Sequence, residues 1–191
     1  MNLTGARTME QVDGLIGDAQ TLTMISWSGI TTVIDIGSGG GLPAIPLAVG
    51  LPQVRFTLLE ANARKCAFLE HVAGTLGLTN VAIAAGRAEE LGHRLQLREQ
   101  FDRAISRAAA RPEVLLELAL PFVRPGGDLI AQVSPLDPSL LEPAAQLLGG
   151  GTPRLEPPTA GAGPLLVVPK VASTPSRFPR RTGLPGRKPL A

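Results

Sequence analysis

The stretch Thr32-Val33-Ile34-Asp35-Ile36-Gly37-Ser38-Gly39-Gly40-Gly41-Leu42-Pro43 constrains this chain more than any other. Val33, Ile34 and Ile36 are β-branched and apolar, as a strand covered on both faces requires. The glycines directly after them let the backbone turn sharply and approach a ligand with no Cβ in the way. Leu42 to Val49 can then open a helix whose free N–H groups face the same crevice. In an open α/β sheet that crevice, beyond the carboxyl end of a strand, is where ligands bind.

Three known glycine patterns can be tested here. The dinucleotide fingerprint needs a third glycine where this chain has Leu42, counting from Gly37 and Gly39. A phosphate-binding P-loop needs Gly-Lys-Ser/Thr, which does not follow the turn. What remains is Asp35-x-Gly37-x-Gly39-x-Gly41, which resembles the first motif of Rossmann-like methyltransferases that use S-adenosylmethionine. The glycine backbone can pass close to the methionine part of such a cofactor, and Asp35 can bond the turn or the cofactor ammonium.

Bulk properties fit one enzyme domain. A chain of 191 residues can bury a sizeable core, and 44% hydrophobic against 18% charged residues excludes a disordered chain. No run approaches the ~18 apolar residues of a membrane helix, and the start lacks a signal-peptide pattern. Cys66 is the single cysteine, which fits a reducing, cytoplasmic location. One cysteine and two distant histidines, His71 and His93, argue against a metal site. Charge is unevenly placed: residues 170–191 hold six Lys or Arg and no acid, leaving twelve basic against sixteen acidic groups before them. The basic character belongs to the tail and points to a polyanionic partner there.

Along the chain, residues 1–31 are weakly patterned and are expected to be a shortened N-terminal helical part, with Trp27 as packing. Val54 to Glu60 is a second strand, and Glu60 at its end can accept both ribose hydroxyls of a nucleoside cofactor or favour the next helix dipole. Ala61 to Leu76 is an amphipathic helix with Phe68, Leu69, Val72 and Leu76 as its buried face, Arg64 and Lys65 solvated, and Gly77 as its stop. Val81 to Ala85 is a third strand, followed by a loop Gly86-Arg87-Ala88-Glu89-Glu90 placed to meet an adenine. Leu91 to Gln100 reads as peripheral, with His93 exposed. Phe101 to Ala108 is a fourth strand whose exit carries Arg107, suited to a cofactor carboxylate or an RNA phosphate. A helix over 112–123, a Pro-Gly-Gly turn, a strand over 128–133 and a helix over 139–148 follow, then an antiparallel pair near 154–157 and 164–168. Residues 1–169 are expected to form the domain. The tail, 170–191, cannot bury a core of its own, and reads as an ordered basic strap or a flexible RNA-binding arm in which Phe178 anchors or stacks.

These residues together resemble the RsmG (GidB) family, bacterial methyltransferases that modify N7 of a guanine in small-subunit ribosomal RNA. The marks are Asn2-Leu3-Thr4, the stretch Ile34 to Pro43, Leu58-Leu59-Glu60, Lys65 with Phe68-Leu69, Arg87 to Glu90, Ile105-Ser106-Arg107-Ala108, and the tail from Phe178-Pro179-Arg180-Arg181 to Lys188-Pro189-Leu190. The resemblance implies an α/β, Rossmann-like class I S-adenosylmethionine-dependent methyltransferase, with a mostly parallel sheet and a terminal antiparallel hairpin. It implies S-adenosyl-L-methionine as cofactor, held by Gly37, Gly39, Gly41, Leu42, Glu60, Ala88, Glu89 and Arg107. Lys170, Arg177, Arg180, Arg181, Arg187 and Lys188 are the expected RNA contacts, with 16S ribosomal RNA or the small subunit as partner and a monomer as the acting form.

The chemistry implied is modest. Guanine N7 has a free lone pair and no proton to remove, so neither a general base nor a metal is expected and no residue is assigned as catalytic. Alignment of the reacting atoms is the task. Two other readings stay open at this level: a shortened, inactive relative that binds cofactor and RNA without turnover, and a methyltransferase with another substrate.

Overall fold

The computed structural model describes residues 25–157 and 163–191, together with Thr8, Gly14, Ala19 and Leu22. Most of the expected N-terminal helical part lies outside the described residues. The elements are β1 (Thr32–Ile36), α1 (Ala44–Gly50), β2 (Arg55–Glu60), α2 (Ala63–Thr75), β3 (Val81–Ala85), α3 (Ala88–Leu91), β4 (Phe101–Arg107), α4 (Pro112–Ala119), β5 (Val123–Gln132), α5 (Glu142–Leu147), β6 (Arg154–Glu156), β7 (Leu165–Pro169) and α6 (Leu184–Arg187). Short 3₁₀ turns over Leu120–Phe122 and Pro138–Leu141 precede β5 and α5.

The sheet order is β3-β2-β1-β4-β5-β7-β6. The first five strands in that order run parallel, while β7 is antiparallel to both β5 and β6. The α/β class, the parallel sheet and the terminal antiparallel hairpin are thus as expected. The chain winds outward from β1 to β3 and then crosses to β4 on β1's other side. That reversal opens a crevice at the carboxyl ends of β1 and β4.

Local sequence explains where the elements stop. Asn62 caps α2, accepting from the N–H groups of Arg64 and Lys65. Its far end closes as a Schellman turn: Leu78 N–H donates to Ala73 O, Gly77 N–H to Gly74 O, and Gly77 has φ +64°. The buried face of α2 is Cys66, Leu69 and Ala73, so the expected stripe was rotated: Phe68 and Val72 pack at its margin and Leu76 is exposed. The Pro125-Gly126-Gly127 turn lies inside β5, where the register against β4 shifts. A Cβ on Gly127 would sit 2.3 Å from Asp102 O, which is why the strand needs glycine there. Trp27 packs near Phe56 and under the Arg103 guanidinium, and its indole N–H donates to Leu22 O.

The basic tail is an ordered strap that turns several of its charges inward. Phe178 is buried in the larger apolar cluster with Leu91, Leu116 and Leu120. The Arg98 guanidinium donates to the carbonyls of Gly92, Thr174, Pro175 and Phe178, and Glu99 accepts from Thr174 N–H. The supposedly peripheral segment before β4 is therefore the tail's anchor. Lys170, expected at the RNA, is fully buried; its ammonium donates to Leu120 O and Thr174 Oγ1 and faces Glu99. Burial pushes its pKa down to about 8, with Glu99 pulling it back up. Arg180 likewise turns inward, its guanidinium gripping both oxygens of Glu117, which is 1% exposed. Neither residue is a free RNA contact, because a charge held by buried partners cannot also reach a phosphate. Arg177, Arg181, Arg187 and Lys188 remain exposed.

Removing one partner of a buried ion pair leaves an uncompensated charge, so Arg180→Ala should lower unfolding free energy by about 3–5 kcal/mol. Replacing both partners with methionine should recover most of that loss. Urea denaturation of the three proteins measures both effects, and equal stability of the single and double variants would count against the pairing.

Candidate cofactor and substrate site

The glycine turn after β1 is held by the end of β2. Gly37 and Ser38 N–H both donate to Leu59 O, at 2.9 and 3.0 Å. The Glu60 carboxylate adds a second clamp: Oε2 accepts from Gly39 N–H at 3.0 Å and Oε1 from Asn62 N–H at 2.8 Å. Ser106 Oγ donates to Ile36 O at 3.0 Å, tying the end of β4 to the end of β1. Gly37 and Gly41 have φ of +71° and +87°. A Cβ on Gly37 would lie 2.7 Å from Ala109 Cβ, and one on Gly41 would lie 2.6 Å from Ile45 Cγ1. Gly37 thus opens the floor of the crevice, whereas Gly41 lets the helix approach the turn.

Two cavities open beyond the strand ends. The smaller, about 300 Å³, brings together Gly37, Glu60, Ala88 and Glu89, with Lys65 and Leu118 completing its walls. The larger, about 840 Å³, is lined by Arg107, Arg111, Glu113, Gln132, Ser134 and Leu140, among others. Ala108 lines both, and it takes φ +53°, a conformation a residue with a Cβ rarely adopts. Of the expected cofactor residues, Gly37, Glu60, Ala88 and Glu89 share the smaller cavity. Gly39, Gly41 and Leu42 do not line it, and Arg107 lines the larger one instead.

Sequence reasoning missed several residues. Lys65, read as solvated, is half-buried and lines the smaller cavity, because the Asn62 cap sets the first turn of α2 against the crevice. The expected loop over 86–90 contains the short helix α3, and that helix is where the tail docks. Glu89 Oε1 accepts from Arg87 and from Gly183 N–H, and Thr182 Oγ1 donates to Glu90. Leu118 and Glu113 come from α4, and no sequence signal marked them.

Two buried carboxylate oxygens in this region, Asp35 Oδ2 and Glu89 Oε2, have no hydrogen-bond partner. Burial pushes the Asp35 carboxyl up to about 7; the neighbouring Ser38 hydroxyl and the Arg107 charge hold it lower than burial alone would, while Glu60 adds to the rise. A buried carboxylate without a full partner under an open crevice favours a cationic ligand.

The chain matches the family model described as rRNA small subunit methyltransferase G (GidB) over residues 1–133. The chain belongs to this family. Among the GidB relatives, the ribosomal RNA small subunit methyltransferase G of Deinococcus deserti is 42% identical, covering 83% of this chain and 68% of its own length. That of Brevibacillus brevis is 37% identical, covering all of this chain and 84% of its own length. The fold is shared with more distant methyltransferase structures. The mitomycin 7-O-methyltransferase MmcR superposes with a TM-score of 0.63 at 19% identity, over 82% of this chain and 54% of its own. M. jannaschii TYW2 in complex with AdoMet gives 0.57 at 18% identity, over 81% and 74%. The chain thus has the class I methyltransferase fold, and its smaller cavity fits S-adenosylmethionine. The fit rests on the open floor at Gly37 and on the partnerless oxygen of Glu89 in the cavity wall, with the buried Asp35 carboxyl just behind the turn.

Asp35 supplies a pH test. Its folded pKa lies above the ordinary 3.8, so its stabilising contribution is complete below about pH 4 and is lost as the pH rises to about 7. Asp35→Asn cannot ionise and lacks this decline. The melting temperature of the cofactor-free variant should therefore exceed that of the parent by a margin that grows from pH 4 to pH 7 and then levels off. Saturating S-adenosylmethionine should narrow the margin at pH 8; a margin independent of pH would count against the assignment.

Proposed function

We propose that this chain transfers the methyl group of S-adenosylmethionine to N7 of a guanine in 16S ribosomal RNA. The observation that carries the reading is the pair of cavities meeting at Ala108, one walled by the glycine turn and the other open beside it. Family membership supplies the substrate class, since the relatives are named as small-subunit ribosomal RNA methyltransferases.

In this reading, Gly37, Glu60, Ala88 and Glu89 hold the cofactor, with Lys65 at its edge. Glu60 has a spare lone pair on each oxygen for the ribose hydroxyls, beyond the N–H groups that it already accepts. Asp35 compensates the positive charge of the methionine end. Gly39, Gly41 and Leu42 shape the turn. The bound cofactor supplies a methyl already activated by the sulfonium. The protein's own residues orient and exclude: the Ala108 backbone sets the wall between the cavities, and no side chain is required to move a proton, because N7 carries none. Arg107 stands on the substrate side, where its guanidinium suits a phosphate.

Exposed Arg177, Arg181, Arg187 and Lys188 on the strap give a backbone-directed RNA surface of four cations. Residues 1–169 form the methyltransferase domain and 170–191 its strap. The acting form is a monomer in the cytoplasm, where its RNA is. Among the described residues, no helix is long and apolar enough to cross a membrane.

The test uses small ribosomal subunits from a strain lacking the family enzyme, the purified chain and labelled S-adenosylmethionine. Methylation of a single guanine at N7, located by chemical cleavage, is the expected outcome. Cofactor binding without label transfer would favour an inactive RNA-binding relative or another substrate. Replacing Arg177, Arg181, Arg187 and Lys188 with glutamine should weaken subunit binding and lower its salt dependence, while leaving cofactor affinity unchanged.

A further inference from the structure

The larger cavity contains more chemistry than methyl delivery alone requires. Its floor is the carboxyl ends of β4 and β5, and its walls are the first turn of α4 and the segment leading into the Pro138–Leu141 turn. Pro112, Pro135, Leu136 and Leu140 give it flat apolar sides, and Leu140 is 70% exposed at the rim. A large leucine left open beside a cavity suits the face of an aromatic base.

Two acidic side chains line this cavity, Glu113 and Asp137. Asp137 Oδ1 already accepts from Ser139 N–H and Oγ, at 3.0 and 2.7 Å, as the cap of the 3₁₀ turn. Glu113 differs. Its side chain is 24% exposed, and its ion pair is a loose one of 3.3 Å to Arg111, whose own side chain is 65% exposed. An exposed arginine can swing to a phosphate and release the carboxylate at little cost.

We propose that the larger cavity is a guanine pocket in which the Glu113 carboxylate accepts from N1–H and the N2 amine, resting on the methyl-transfer reading above. Among the four RNA bases, only guanine presents two adjacent donors on its Watson–Crick edge, and they match the two oxygens of one carboxylate. Adenine, cytosine and uracil each place an acceptor against it, leaving a desolvated charge facing a lone pair. That edge lies at the opposite end of the purine from N7. Holding it at Glu113 leaves N7 free to point past Ala108 toward the smaller cavity. An enzyme that acts on one base of an RNA reads that base once it is out of the stack, by its Watson–Crick edge and by stacking. Glu113 is then a specificity-determining residue, with Arg111 its counterion until a phosphate arrives.

The test is equilibrium binding of guanosine and inosine 5′-monophosphates to the full chain saturated with S-adenosylhomocysteine. Inosine lacks only the N2 amine. The parent protein should bind the guanosine nucleotide about tenfold or more tightly than the inosine one. Glu113→Gln should bind the guanosine nucleotide more weakly and lose that preference, while Glu113→Asp, which keeps the charge, should retain part of it. Unchanged S-adenosylhomocysteine affinity and melting temperature show that the variants are folded. An equal preference in parent and Glu113→Gln, no preference in the parent, or no binding of the guanosine nucleotide would each overturn the assignment. Because no methyl transfer is read, failure of the pocket and failure of the ribosomal RNA reaction appear in different experiments.

Discussion

The backbone hydrogen bonds from Gly37 and Ser38 to Leu59 O govern the rest of the site. They fasten the first turn to the end of the neighbouring strand and so fix how far the backbone rises before the helix begins. Glu60, the next residue, repeats the fastening through its side chain, bonding Gly39 on one side and Asn62 on the other. One carboxylate therefore joins the turn after β1 to the cap of α2. The cap in turn sets the angle at which Lys65 enters the crevice. The same parallel register that pairs Ile36 with Leu59 thus determines the floor, one wall and the edge of the smaller cavity.

The strap shows a different economy of charge. A basic segment with no acid reads as a surface for polyanions, yet two of its six cations face inward to Glu99 and Glu117. The acids lie far earlier in the chain, and nothing in their own neighbourhoods announces a partner. The strap also reaches α3 through Thr182 and Gly183, so the wall that carries Ala88 and Glu89 is braced from outside by the strap's own backbone and side chains.

How much of this was legible follows from which forces are local. The strands were readable because Val33, Ile34 and Ile36, like Phe56, Leu58 and Leu59, make buried β-branched or apolar runs whose period needs no distant partner. The crevice was readable because a glycine turn after such a strand has few other uses. The α2 face was misplaced because its buried positions include Cys66 and Ala73, which carry weak hydropathy, while the larger Phe68 and Val72 sit at the margin. Lys65, Leu118, Glu113 and the inward turn of Lys170 and Arg180 were hidden because each depends on packing between elements far apart in sequence. The division into two cavities was hidden for the same reason: Arg107 and Ala108 are adjacent in the chain and both line the larger cavity, yet only Ala108 also lines the smaller one.

The Arg180–Glu117 pair has a consequence for how the protein comes into being. The two residues are 63 positions apart, and Glu117 belongs to α4, which is synthesised before β5, β6, β7 and the strap. Until the strap leaves the ribosome, that carboxylate, and the apolar hollow that Phe178 fills, wait without their partners. Domains often fold as they are translated, the N-terminal part first. Here the final packing step is deferred until translation of the strap is nearly complete, so premature termination would leave an open core rather than a domain without its arm.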